Sequence, residues 1–312
     1  MHVDQVIRAS GYFLRRRDLL PLGFTDGHLR IALARGRIFR VRQGWYSVPD
    51  APELGVRAVR VGGRLTGLSA LESMGLPVPQ DARLHVSVKR TASRLRSPDD
   101  RHLRLRTGAA VHWNGGGTSW RASIGEALLV VLRTSTRDIA VACCGAALRK
   151  RAITAAALDR VFADAPRRVR GWRALVSRLD ESHGETFFRL WTRDAGLACE
   201  QQVAVPGVGR LDFRLAPHLW VEIDGGQHDP AWTGGTASSW ESDLERDTAM
   251  TIRGDRVLRF GYRQLYTAWP TVLAAIERAL SDDAALAARR LRHPYRPRAQ
   301  RKRRRSAAQR PP

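Results

Sequence analysis

The sequence has few cysteines, no long apolar run and no composition typical of secretion. Its three cysteines include the neighbours Cys143 and Cys144, which rarely pair, and Cys199 lies far from both. No C-x-x-C spacing typical of a metal site is present. No apolar run approaches the roughly 18 residues of a membrane-spanning helix, and residues 1–10 do not have the pattern of a signal peptide. We therefore expect a cytoplasmic protein with reduced thiols and no membrane association.

Acidic residues are also in short supply, and this deficit bears on the partners of the protein. The chain has 30 Asp and Glu against 53 Lys and Arg, for a net charge of +23. Nucleic acid is the favoured partner, since binding it releases condensed counterions. A coding bias toward Arg and Ala is the alternative, because lysine is rare. Residues 289–312 contain eleven basic residues, no acid and few apolar side chains, which predicts a disordered basic tail.

The first fifty residues have the spacing of three short helices followed by a β-hairpin. Apolar periodicity predicts helices at 2–9, 15–20 and 26–35, the third capped by Thr25. Alternating residues around a Gln-Gly turn predict a hairpin at 38–48. This order is typical of a winged helix-turn-helix, in which the third helix lies in the major groove and the hairpin is the wing.

Arginines cluster on the predicted third helix and hairpin. Such arginines can contact phosphates or read guanine edges, so the sequence predicts DNA binding here. A helical module that packs against another protein is the alternative, because a fold alone does not fix a function. The candidate DNA-binding residues are Arg30, Arg35, Arg37, Arg40 and Arg42.

The middle of the chain has no motif that carries chemistry. Helices are predicted at 64–74, 123–133, 136–151 and 154–162, the last three with Ser or Thr caps. Strands are expected between the first helix and the other three, so this region is predicted to be mixed α/β and then helical.

Three acidic residues lie at strand positions in the second half of the chain. Asp212 and Glu222 fall in predicted strands joined by one tight turn, so antiparallel pairing would bring them within ~5 Å. Asp224 shares a face with Glu222 by the two-residue period. Carboxylates so close repel unless a cation neutralises them, and Mg²⁺ or Mn²⁺ suits oxygen ligands. We therefore predict Asp212 and Glu222 as metal ligands; solvent-facing acids, or acids paired with arginines, are the alternative.

Several ordered motifs accompany these acids. They are Arg210-Leu-Asp-Phe, Val221-Glu-Ile-Asp-Gly-Gly-Gln-His228, Glu245-Arg246-Asp247, Gly254 and Val257-Leu-Arg-Phe260. Together they resemble the very-short-patch-repair-endonuclease-like domain of uncharacterised proteins, within the P-D…D/E-x-K nuclease superfamily. The resemblance implies a restriction-endonuclease-like α/β fold with metal-binding acids at Asp212 and Glu222. It also implies a further acid at Glu185 from the first helix, and it places Arg246 and Asp247 beside the site, with Arg246 a further candidate DNA-binding residue.

One position departs from that pattern. Asp224 stands where the superfamily usually has a Lys, which can stabilise the attacking hydroxide and the developing charge, as an Asp cannot. His228 could then act as general base, or Asp224 could hold a second metal. The candidate catalytic residues are Glu185, Asp212, Glu222, Asp224 and His228.

The hairpin region carries a separate resemblance. The run Ala34-Arg-Gly-Arg-Ile-Phe-Arg-Val-Arg-Gln-Gly-Trp-Tyr46 is similar to the winged-helix domain of AbiEi-type abortive-infection antitoxins. That resemblance implies a protein that represses its own operon, with a toxin as partner.

Together these patterns predict an α+β multidomain protein. We expect a winged helix-turn-helix at 1–50, the mixed middle region at 51–181, a restriction-endonuclease-like domain at 182–280 and a basic disordered tail at 281–312. The leading hypothesis is a Mg²⁺-dependent DNA endonuclease. Cleavage of both DNA strands would need two active sites, so a homodimer is a possible assembly. The alternative is a non-enzymatic, antitoxin-like repressor with a degenerate nuclease domain. An RNA-processing enzyme or tRNA binder is a third hypothesis, for which no recognisable RNA-binding motif is present.

Overall fold

The chain is mixed α+β and divides into two compact units. The computed structural model describes residues 2–79, 81, 83–115, 117, 119–224 and 237–292. The units are Met1–Thr186 and Phe187–Pro312. Among the described residues there are twelve α-helices and three sheets. In that part of the chain, no helix combines the length and the apolar composition needed to cross a membrane.

The N-terminal segment of the first unit has the predicted helices and hairpin, with one additional short strand. Its elements are α1 (Val3–Ala9), β1 (Phe13–Arg15), α2 (Arg16–Leu19), a 3₁₀ turn (Leu20–Leu22), α3 (Asp26–Ala34), β2 (Phe39–Arg42) and β3 (Trp45–Ser47). The strands form an antiparallel sheet in the order β1-β3-β2. Thr25 caps α3 by accepting from the His28 N–H. Ile7, Leu29 and Ile38 are buried together in a small core, so α3 and the hairpin pack onto α1.

The rest of the first unit is a three-stranded sheet followed by helices. Its elements are α4 (Glu53–Val61), β4 (Arg64–Leu65), α5 (Gly67–Glu72), β5 (Leu84–Ser87), β6 (Ala109–His112), α6 (Ile124–Thr134), α7 (Arg137–Arg149), α8 (Ala155–Ala163), α9 (Arg167–Arg170) and a 3₁₀ turn (Gly171–Leu175). The sheet order is β4-β5-β6, with β5 and β6 parallel. The continuous helix predicted at 64–74 is wrong, because Arg64 and Leu65 pair with β5 before α5 begins.

Two histidines of the first unit lie in a polar cluster on its sheet. The His85 side chain is buried, and its Nε2 lies 2.9 Å from Asp81 Oδ2. Its Nδ1 lies 3.1 Å from Nε2 of His112, whose ring stacks on it. The pKa of His112 is lowered to about 4, mainly by burial and also by the charges of His85 and Arg83. His112 is therefore neutral at neutral pH.

We expect this unit to lose stability in mild acid. Burial also lowers the pKa of His183 to about 4, whereas an unfolded histidine titrates near ~6.5. As the pH falls, the unfolded chain binds protons first, so the free energy of unfolding should decrease between about pH 6.5 and pH 4. Urea unfolding of the full chain at several pH values measures this decrease. In the double variant His112→Asn/His183→Asn the decrease should be smaller, and an unchanged slope would contradict the assignment.

The second unit is built on a four-stranded sheet. Its elements are α10 (His183–Asp194), which begins in the first unit, β7 (Glu200–Val205), β8 (Gly209–Ala216), β9 (Leu219–Asp224), α11 (Ala237–Arg253), β10 (Arg256–Gly261) and α12 (Tyr262–Arg292). The order is β10-β9-β8-β7, with β10 parallel to β9 and the other pairs antiparallel. α12 continues to Arg292, so the tail predicted from residue 281 overlaps a helix, and residues 293–312 lie outside the described ranges.

The two faces of β9 meet different helices, and this decides where its acids point. Val221 and Ile223 pack with Leu265 of α12. Trp220 packs with Met250 of α11. Because side chains alternate along a strand, residues 222 and 224 are on the same side as Trp220 and face α11.

Candidate functional site

Asp212 is fixed at the point where β8 and β9 separate. The last paired residues are Phe213 and Val221, and one further step in the same register places Asp212 across from Glu222. Asp212 Oδ2 accepts a hydrogen bond from the Ile223 N–H at 2.8 Å. Its Oδ1 lies 3.5 Å from Nε2 of Gln202. The Asp212 carboxylate therefore accepts the β9 N–H that a backbone carbonyl of β8 would otherwise accept.

Glu222 lies between two arginines. Arg246 of α11 donates to Oε1 at 2.7 Å, and Arg259 of β10 donates to Oε2 at 2.9 Å. Arg259 also holds Asp247 with two bonds of 3.0 and 2.6 Å. The parallel pairing explains this, because Arg259 is the register partner of Glu222. We call Glu222, Arg246, Asp247 and Arg259 the Glu222 clamp.

Within the clamp, the negative charge of Glu222 is balanced by the positive charges of Arg246 and Arg259. The Glu222 side chain is only 13% exposed and the Arg259 side chain 36%. The pKa of Arg259 is raised, first by its hydrogen bonds to Asp247 and further by Glu222, while burial opposes the shift. Two cationic side chains thus supply the neutralisation that a low-exposure carboxylate needs.

Within the described residues, the carboxylates of this arrangement are held by arginines and by a backbone N–H. Both Glu222 oxygens accept from guanidinium groups, and one Asp212 oxygen accepts from a backbone N–H. Among the residues that the structure describes, no group of three or more His, Cys, Asp or Glu side chains is placed to hold a metal ion. For Glu222 this is the arginine-paired alternative, and its role with Asp212 as a metal ligand stays a prediction.

The other predicted residues of the acidic centre have different positions. Asp224 is the half-buried last residue of β9 and the register partner of Gly261. Glu185 lies in α10, is buried, and accepts from the Glu181 N–H at 2.8 Å; it belongs to the first unit, and its part in the centre stays a prediction. His228 lies outside the described residues. Arg246 is beside Glu222, as predicted, whereas Arg259 was not among the predicted site residues, although it lies within a quoted motif.

The predicted DNA-binding arginines of the first unit form a basic surface. The side chains of Arg30, Arg35, Arg37 and Arg40 are exposed, and Arg42 is half-buried. The Arg40 guanidinium lies 5.8 Å from the centre of the Tyr46 ring. Within the described residues, none of the five makes a salt bridge with a carboxylate, so their charge is available to an anionic partner.

No family model and no curated protein matches the sequence. Among solved structures, the catalytic domain of the homing endonuclease I-Bth0305I is similar at 15% identity and a TM-score of 0.24. The likeness covers 31% of this chain and 89% of that domain. A likeness this weak carries no argument about function.

Proposed function

We propose that this protein binds duplex DNA through residues 1–50. The observation that carries the proposal is the set of exposed arginines along α3, the turn after it and β2 (Arg30, Arg35, Arg37 and Arg40), none of which makes a salt bridge with a carboxylate among the described residues. Exposed arginines are the main source of affinity for a phosphate backbone.

The local fold supports the same proposal. Helices α1, α2 and α3 followed by the β2–β3 hairpin have the order of a winged helix-turn-helix. Leu29 and Ala32 turn one face of α3 into the core, whereas Arg30 and Ile31 lie on the exposed face. In this proposal α3 enters the major groove and the hairpin contacts the backbone beside it.

Fluorescence anisotropy of a labelled duplex tests DNA binding directly. We expect the full chain to bind, and the logarithm of its affinity to fall linearly with the logarithm of the salt concentration. Binding to its own promoter that is tighter than binding to a scrambled duplex would favour an antitoxin-like repressor. No salt-dependent binding to either duplex would remove the proposal.

A second candidate function is cleavage of DNA by the second unit. It is favoured by one observation: Asp212 and Glu222 lie on neighbouring strands one register step beyond their last paired residues. A cavity of about 400 Å³ adjoins the clamp at Asp247 and Arg259, and it offers space near these side chains. The motifs that resemble a nuclease domain include both acids.

We expect cleavage, if the second unit is an endonuclease, to depend on Asp212. Wild type should nick a supercoiled plasmid in Mg²⁺ or Mn²⁺, and Asp212→Ala should not, because Asp212 is fixed against β9 beside Glu222. The control is Glu277→Ala, which removes an exposed acid of α12. If the wild type binds DNA but does not nick it, the antitoxin-like regulator is the remaining hypothesis. A toxin would then be the partner to test.

A further inference from the structure

Five arginines surround one cavity in the first unit. Arg40 and Arg42 reach it from β2, and Arg94, Arg96 and Arg101 from the segment 89–106. Gln43 and His102 complete the lining, and the cavity has a volume of about 290 Å³. No acid lines it. We call it the arginine pocket.

The pocket is held in shape by bonds from its own arginines. Arg101 Nη1 donates to the Arg40 carbonyl at 2.5 Å and so ties the segment to β2. Arg96 Nη1 donates to the His102 carbonyl at 3.1 Å. The Arg42 guanidinium lies against Gly62, where any Cβ would clash with it. The cations are therefore arranged before a ligand arrives, which lowers the entropy cost of binding.

The acids of the same segment do not line the pocket and have partners of their own. Asp99 pairs with Arg57 at 3.1 Å, and Asp100 accepts from the His102 N–H at 2.7 Å. Burial lowers the pKa of Arg42, and the nearby charge of Arg96 lowers it further. The crowded cations repel one another, and an anion bound between them would relieve that repulsion.

We propose that the arginine pocket binds a phosphate group. Guanidinium forks match phosphate oxygens in pairs, and the cavity offers several forks from two sides. The phosphate belongs either to a DNA strand held by the neighbouring hairpin or to a free nucleotide. The site does not depend on the DNA binding proposed above, because a free phosphate compound would fill it equally.

Isothermal titration of the full chain with inorganic pyrophosphate tests the pocket. Wild type should bind, and Arg96→Ala/Arg101→Ala should lose about tenfold or more in affinity, since two guanidinium donors to the phosphate are removed. The matched control, Arg104→Ala/Arg106→Ala, removes the same charge from exposed positions of the same segment and should bind as wild type does. Arg94→Glu removes none of the bonds that tie the segment, so it tests the pocket even if the double variant folds poorly. It too should weaken pyrophosphate binding.

Two arms distinguish the sources of the phosphate. If a DNA strand supplies it, pyrophosphate should displace DNA, and the Arg96/Arg101 variant should weaken DNA binding. If a free nucleotide supplies it, ATP should bind without displacing DNA, and DNA affinity should be unchanged in that variant. Absence of pyrophosphate binding by the wild type, or equal loss in the two double variants, overturns the proposal. If the wild type binds pyrophosphate but does not bind DNA, the winged-helix proposal fails and the phosphate proposal stands.

Discussion

Replacing Arg30, Arg35 and Arg37 together by alanine should weaken DNA binding by about 100-fold near physiological salt. All three side chains are exposed, and none makes a salt bridge with a carboxylate among the described residues. Each is expected to contribute one phosphate contact, so the slope of log affinity against log salt should become shallower by about three. Anisotropy titrations at four salt concentrations measure both quantities.

The control for this variant removes the same charge from elsewhere in the first unit. Arg160→Ala/Arg167→Ala/Arg178→Ala changes three exposed arginines that lie outside α3 and the hairpin. We expect this control to lose no more than about threefold, because only distant charge is removed and salt screens it. Equal losses in the two triple variants would show that DNA is attracted by overall charge and not held at α3.

Arg259→Ala should lower the free energy of unfolding by about 2–3 kcal/mol. Breaking a buried ion pair costs about 3–5 kcal/mol because it leaves a charge without a partner, and the partial exposure of Arg259, at 36%, reduces that figure. The variant removes the bonds to both Asp247 oxygens and one of the two guanidinium partners of Glu222. Urea unfolding of the full chain measures the change.

Two matched variants sharpen this measurement. Arg256→Ala removes a nearby pair on the same strand, with Asp282 at 3.2 Å and both side chains about half exposed, so it should cost less than about 1 kcal/mol. Arg259→Lys keeps the charge but cannot bridge two carboxylates with the same fork, and it should recover only part of the loss. Equal costs for Arg259→Ala and Arg256→Ala would refute a structural role for the clamp.

The elements that position the site follow from local sequence. Thr25 marks the start of α3 because its side chain replaces a missing backbone partner. The alternation in β8 and β9, joined by one short turn, places Asp212 across from Glu222 without any tertiary information. These features depend on neighbours close in the sequence, and the sequence therefore predicts them.

The identity of the cation at Glu222 could not be predicted in this way. A metal ion was the predicted source of positive charge beside this carboxylate, and that stays a prediction. The partners that the sequence did not predict are Arg246 and Arg259, which lie 24 and 37 residues further on. Both reach Glu222 only when α11 has packed on the sheet and β10 has paired with β9, and neither contact leaves a periodic signal.

The parallel pairing of β10 with β9 also bears on how the second unit folds. A slip of one residue would turn Arg259 toward the apolar face that holds Phe188 and Leu265, and would turn Phe260 away from it. The misplaced guanidinium would lose both carboxylates and be buried without a partner. β10 joins β9 across α11, a long connection that makes such errors accessible during folding. The ion pairs of Glu222 thus favour the observed register of β10 over a register shifted by one residue.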